Sequence, residues 1–149
     1  MNARFDALAE YAAARELHET RANHLAIVER DIAAFWTEGQ QDPSLPFRDA
    51  DARTTRITRL MAERGAVSVV ERQAYDRMTS AINTLVGVLP AGADRDEAVA
   101  RLDAWPATRA GMLAIDCSEG EIAVAHRAMT TALCVLLDPL VQQGSPFTA

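Results

Sequence analysis

The chain has no lysine: all fifteen of its basic side chains are arginine. That absence excludes a phosphate-loop lysine, a Schiff-base lysine and a lysine general base. A genome rich in guanine and cytosine accounts for the bias, and also for the many alanines. Cysteine is nearly as scarce. Cys117 and Cys134 stand 17 residues apart in what reads as one helical segment. A straight helix holds them about 25 Å apart, beyond disulfide reach. We therefore expect two reduced thiols and a cytoplasmic setting. Long apolar runs are missing too. "TALCVLLDPLV" is shorter than the roughly 20 residues a bilayer requires, and Asp138 and Pro139 interrupt it. The opening "MNARFDALAEYAAARE" carries charge throughout, so neither a membrane span nor an export signal is expected. There is no Gly-rich phosphate loop, no Gly-x-Ser-x-Gly and no Cys-x-x-Cys.

What is present is helical periodicity. At 149 residues the chain suits one domain over 1–149 with a core that needs no metal or disulfide. No stretch alternates with period two over a strand's length. A first helix should run from Asn2, a good N-cap, to Glu38, with Gly39 as its stop. Its apolar face is marked by Phe5, Leu8 and Ala12, then resumes with Leu25, Val28, Ile32 and Phe35. A helix near 35 residues is about 50 Å long and should either bend or lay its overhang on a partner. The loop over 39–48 carries Pro43 and Pro46. We expect a second helix from Asp49 to Arg64, stopped by Gly65. A third opens with Ser68 and Glu71 and carries Tyr75, Met78, Ile82, Leu85 and Leu89 as its seam. Pro90 and Gly92 close that helix. A short fourth helix starts at Asp94 and breaks at Trp105–Pro106, and "ATRAGMLAI" adds a turn or two. The fold expected is all-α: a compact, mostly antiparallel bundle of five to six helices with a long N-terminal helix.

"IDCSEGEIAVAH", residues 115–126, holds the densest group of reactive side chains. Ser118 and Glu121 have capping-box spacing, and Asp116 and Glu119 put negative charge where a helix dipole favours it. Ile122, His126, Met129, Leu133, Leu136 and Leu140 follow as a seam. Helical metal pairs stand three or four residues apart, whereas Glu121 and His126 are five apart and His18 and His24 six. Cys117 and His126 are nine apart, about 13 Å along a helix, too far for a nucleophile and its base. A helix N-terminus at Cys117 lowers a thiol pKa in general, yet no base accompanies it. We expect no catalytic residue, no metal and no cofactor, with His126 a core histidine.

Arg53, Arg56 and Arg59 recur every three residues in the one locally basic segment, "RDADARTTRITRLMAER". They fan across about 120° of helix surface, where they either contact phosphate or pair with Asp49, Asp51 and Glu63. The stretch that follows, "RLMAERGAVSVVERQAYDRM", resembles the helix-turn-helix of bacterial repressors, with Ala62, Val67 and Ser68 near the matching places. The resemblance implies a DNA-binding regulator over 57–78. Gly65 stands one residue early for the turn, and Arg72 falls where an apolar residue belongs. "LDAWPATRAGMLA" resembles a proline-x-threonine-x-x-glycine stretch of small Ala- and Arg-rich helical proteins of unknown function from alphaproteobacteria and their prophages. That resemblance implies a mobile-element setting and no particular activity.

The formal net charge of −6 disfavours nucleic acid and favours neutral or basic protein partners. The preferred reading is a non-enzymatic helical protein that binds another protein or itself, such as an acidic inhibitor of a host nucleic-acid enzyme. Around Leu133, Leu136 and Leu137 the last helix is apolar on all sides, so it must be central or covered by a partner. We expect a homodimer with its interface among Leu25, Val28, Ile32 and Phe35 of the first helix or Leu133, Leu136 and Leu137 of the last. A DNA-binding regulator is the second reading. A small-molecule binder or enzyme with a pocket near His126, Cys117 and Trp105 is the third.

Overall fold

The computed structural model of the chain describes residues 2–45 and 48–143. Pro46, one of the two loop markers, lies outside the described residues, as does Phe47. Four helices follow in order: α1 (Ala3–Gln41), α2 (Ala50–Val88), α3 (Ala93–Ala114) and α4 (Glu119–Gln143). No strand occurs among the described residues, so the all-α class holds.

There are four helices and not five or six because the expected internal breaks are helical. Gly65 lies in the middle of α2. One glycine costs a helix interior only about 1 kcal/mol, and here Ile57, Leu60, Val67, Tyr75, Met78, Ile82 and Leu85 keep an unbroken helical period across it. The turn that a helix-turn-helix over 57–78 requires is therefore absent. Pro106 likewise sits inside α3. Pro106 itself is exposed, so its ring displaces no core side chain. Trp105 just before it and Met112 beyond it keep the inner face on both sides. Gly39 is also helical, and α1 ends only at Gln41.

At several helix ends, side-chain or backbone groups beyond the helix supply missing partners. Asn2 caps α1, its Oδ1 accepting from the Arg4 N–H at 3.1 Å. After α1, Asp42 accepts from the Ser44 N–H at 3.1 Å and the Ser44 hydroxyl at 2.7 Å, and pairs with Arg48. These bonds hold the Asp42 carboxyl below its usual range, the two from Ser44 foremost. The end of α3 is a Schellman motif. Asp116 takes the left-handed conformation at φ 58°, its N–H donates to the Leu113 carbonyl, and the Cys117 N–H donates to the Met112 carbonyl. Aspartate is one of the few residues with a side chain that adopts this conformation at modest cost.

The chain gathers into two compact units, Ala14–Met78 and Met1–Ala13 with Thr79–Ala149. The first is an antiparallel hairpin of α1 and α2: His18 meets Glu71, His24 meets Glu63 and Phe35 meets Arg53. Val28, Ile32 and Val67 form its buried core, with Leu25, Ile57 and Leu60 packed against them. The second unit combines the start of α1, the end of α2, α3 and α4. Its core holds Leu8 and Tyr11, then Ile82, Leu85 and Leu89, and finally Leu133 and Leu137. The α2 seam expected from the sequence is buried from Tyr75 to Leu89. Phe5 is 52% exposed and Tyr11 fully buried, so the start of α1 turns a slightly different face inward than Phe5, Leu8 and Ala12 imply.

Helix α4 is long and apolar enough to cross a membrane by length and composition, a property that "TALCVLLDPLV" alone does not show. One face nevertheless belongs to the unit's core, through Thr130, Leu133, Cys134 and Leu137.

Candidate functional site

Each chemistry-bearing cluster of the sequence has a place in this scaffold. In "IDCSEGEIAVAH", the Ser118 hydroxyl accepts from the Glu121 N–H at 3.1 Å, and the Glu121 carboxylate accepts from the Ser118 N–H at 3.0 Å. The capping box is complete, and with Asp116 in its Schellman position the segment is one helix stop followed by one helix start. Cys117 lies between them, partly buried. Lost hydration pushes its thiol pKa up, and Glu121 adds to the rise by accepting a hydrogen bond and by its charge. The helix terminus therefore does not lower this thiol's pKa. His126 packs edge-to-face against Trp105 at 4.9 Å, and its carbonyl accepts from the Thr130 hydroxyl at 3.0 Å. Among the described residues no group of three or more metal-ligating side chains converges.

The arginines of α2 lie on the hairpin's own surface. Arg53 stacks over the Phe35 ring at 4.3 Å and stands 3.9 Å from the Glu38 carboxylate, which also receives Arg56 at 3.1 Å. Two of the three candidate phosphate contacts thus share one carboxylate, while Arg59 is exposed. The cavity beside them, about 430 Å³, is lined by Phe35, Trp36, Gly39, Arg53, Thr54 and Ile57 among others. A second, of about 310 Å³, lies by Arg4, Pro90, Arg95 and Leu140.

The interface residues expected from the sequence sit mostly inside the chain. Val28, Ile32, Phe35, Leu133 and Leu137 are buried in their own units, and Leu25 packs against the hairpin core. Leu136 is partly exposed. Residues that fill a core offer no surface to a partner, so the apolar surface of α4 has to be read elsewhere. It lies on the opposite side of the helix. Val124 is 69% exposed and Val135 71%, and Ala128 and Thr131 between them are exposed as well. These four follow at steps of four, three and four, which places them within about 60° of one another on the helix.

No family model, curated protein or solved structure matches this chain.

Two buried polar contacts complete the picture, and neither is legible from local spacing. The Tyr11 hydroxyl donates to Asp138 Oδ1 at 2.6 Å across 127 residues of sequence. Burial foremost, then this bond, pushes the phenol pKa far above its ordinary range. In the hairpin, His18 Nε2 lies 3.0 Å from Glu71 Oε1, and the Tyr75 ring lies 5.5 Å from the imidazole. Glu71 is only 4% exposed, an unusual place for a carboxylate without a specific partner. Ser68 and Glu71, which read as the capping pair of a third helix, are interior residues of α2.

Proposed function

We propose that this chain is a non-enzymatic interaction protein that assembles as a homodimer through the outward stripe of α4. The observation that carries the reading is the stripe itself. From Ile122 to Leu137 the only formally charged side chain is Arg127, and Val124, Ala128, Thr131 and Val135 face out of the unit together. An uncharged helix face of this kind is stable in water when covered.

A second copy is the occupant that the spacing favours. Steps of four, three and four read the same in both directions, so a two-fold axis between Met129 and Thr130 sets Val124 opposite Val135 of the second copy. It also sets Ala128 opposite Thr131 of the second copy. A two-fold interface needs a self-complementary patch, and this stripe is one. Its small central residues let two helices approach closely, with the valines at either end. A membrane is the poorer occupant. Entering it as a span would strip Thr130, Leu133, Cys134 and Leu137 from their core and break the Tyr11–Asp138 bond.

The non-enzymatic part of the reading is supported by how the reactive groups are used. His18 is engaged by Glu71, Cys117 has a raised pKa, and Asp42 holds a loop. Cysteines outside any disulfide fit a cytoplasmic setting, and the net charge of −6 suits further partners that are neutral or basic.

Sedimentation velocity of the full chain and of Val135→Glu tests the assembly. The wild type should sediment as a dimer, and the variant, which carries an unpaired charge into each half of the interface, as a monomer with an unchanged helical circular-dichroism spectrum. A monomeric wild type, or a dimer indifferent to Val135→Glu, overturns the reading.

A further inference from the structure

The cavity at the loop end of the hairpin has a chemistry that the assembly reading does not use. Its apolar part is Phe35, Trp36 and Ile57, and Trp36 is left 55% exposed although large and aromatic. Its charged part is Arg53, whose side chain is only 15% exposed. That guanidinium is fixed from two directions: its face lies on Phe35 at 4.3 Å, and the Glu38 carboxylate is 3.9 Å away. Glu38 cannot neutralise Arg53 alone, because Arg56 holds the same oxygen at 3.1 Å. Two cations on one carboxylate leave a net positive charge of one. Gly39 completes the arrangement: a Cβ there would come within 3.3 Å of Arg53 Nη2, so a side chain would press on the guanidinium where it now lies.

We propose that this cavity binds a small organic carboxylate with an aromatic or aliphatic body. A single negative charge matches the uncompensated positive one. The planar fork of arginine suits a carboxylate, and the edges of Arg53 remain for hydrogen bonding while its face is stacked. The ligand's apolar body lies along Trp36 and Ile57, and Thr54 and Gln40 supply polar groups at the rim. A volume of about 430 Å³ falls in the range of small-molecule sites. The pocket differs in place from one near His126, Cys117 and Trp105, and its residues all belong to the hairpin unit.

The test is a heteronuclear NMR titration of the full chain with 4-phenylbutyrate and, in parallel, with the neutral 4-phenylbutanol. The acid should shift the Trp36 indole N–H and the amides of Gly39, Gln40 and Thr54 saturably. It should bind about tenfold or more tighter than the alcohol, the factor expected of a charge-assisted bond. Arg53→Gln should remove that preference. Saturable shifts centred elsewhere, equal affinity for acid and alcohol, or no saturation at all would overturn the proposal. The comparison of acid with alcohol on the wild type decides the matter even if Arg53→Gln fails to fold.

Discussion

His18 and Glu71 meet at 3.0 Å inside the α1–α2 hairpin, 53 residues apart in sequence and with both side chains largely shielded from water. A carboxylate so buried is costly unless hydrogen-bonded, and the imidazole gives it one of its partners. The pair ties α1 to α2 by a polar contact within the hairpin.

Glu71→Ala should therefore lower stability by about 1.5–3 kcal/mol, the usual worth of a hydrogen bond to a charged group. In a double-mutant cycle with His18→Ala, urea unfolding should show a coupling of at least about 0.5 kcal/mol. Strict additivity would mean that the two side chains act independently.

Tyr11→Phe removes the bond to Asp138 and should cost about 1–2 kcal/mol at neutral pH. The wild type carries a further signature. Its folded phenol pKa is raised, so the unfolded state loses its proton first as the pH climbs, and the stability tied to Tyr11 is intact below about pH 10 and declines above it. Urea unfolding from pH 8 to 11 should show this decline in the wild type and a smaller one in Tyr11→Phe.

Cys117 should react more slowly with a disulfide reagent at neutral pH than a free cysteine does, since less of it is thiolate. Glu121→Gln should accelerate the reaction, because it removes the carboxylate charge while keeping a side chain able to complete the capping box. An unchanged rate would show that burial alone sets the reactivity.

Gly65→Ala distinguishes a helix interior from a turn. Within α2 Gly65 has nothing within 4 Å of where a Cβ would stand, and no glycine among the described residues lies in the left-handed region. The substitution should stabilise the chain by about 0.5–1 kcal/mol in thermal or urea unfolding. A turn of the repressor type would make it destabilising.

The same residue shows what the sequence withheld. The helical class, the caps at Asn2 and Ser118 and the seam from Tyr75 to Leu89 are written in spacings of two to four residues, and such local patterns survive folding intact. The number of helices is not local in that way. Gly65 disfavours a helix modestly and Pro106 more strongly, and apolar packing on both sides overrides them. For α4 the order of burial is the difficulty. When both sides of a helix are apolar, periodicity alone does not say which is inside. The seam through Ile122, His126 and Leu136 is half-buried, while Thr130, Leu133, Cys134 and Leu137 form the inner face. The 124–135 stripe is visible in the sequence only once that inner face is known. Tyr11 with Asp138 and His18 with Glu71 depend on tertiary placement alone.

Cysteine cross-linking tests the two-fold most directly. In a Cys117→Ser background, whose remaining native thiol Cys134 is buried, Val124→Cys and Val135→Cys are introduced singly and together. The double variant should oxidise to a covalent dimer, and peptide mass spectrometry should find position 124 of one copy joined to position 135 of the other. Each single variant should stay uncrosslinked, because a two-fold at the centre of the stripe holds like positions about 16 Å apart. Cross-links between like positions, or no covalent dimer in the double variant, would contradict the two-fold.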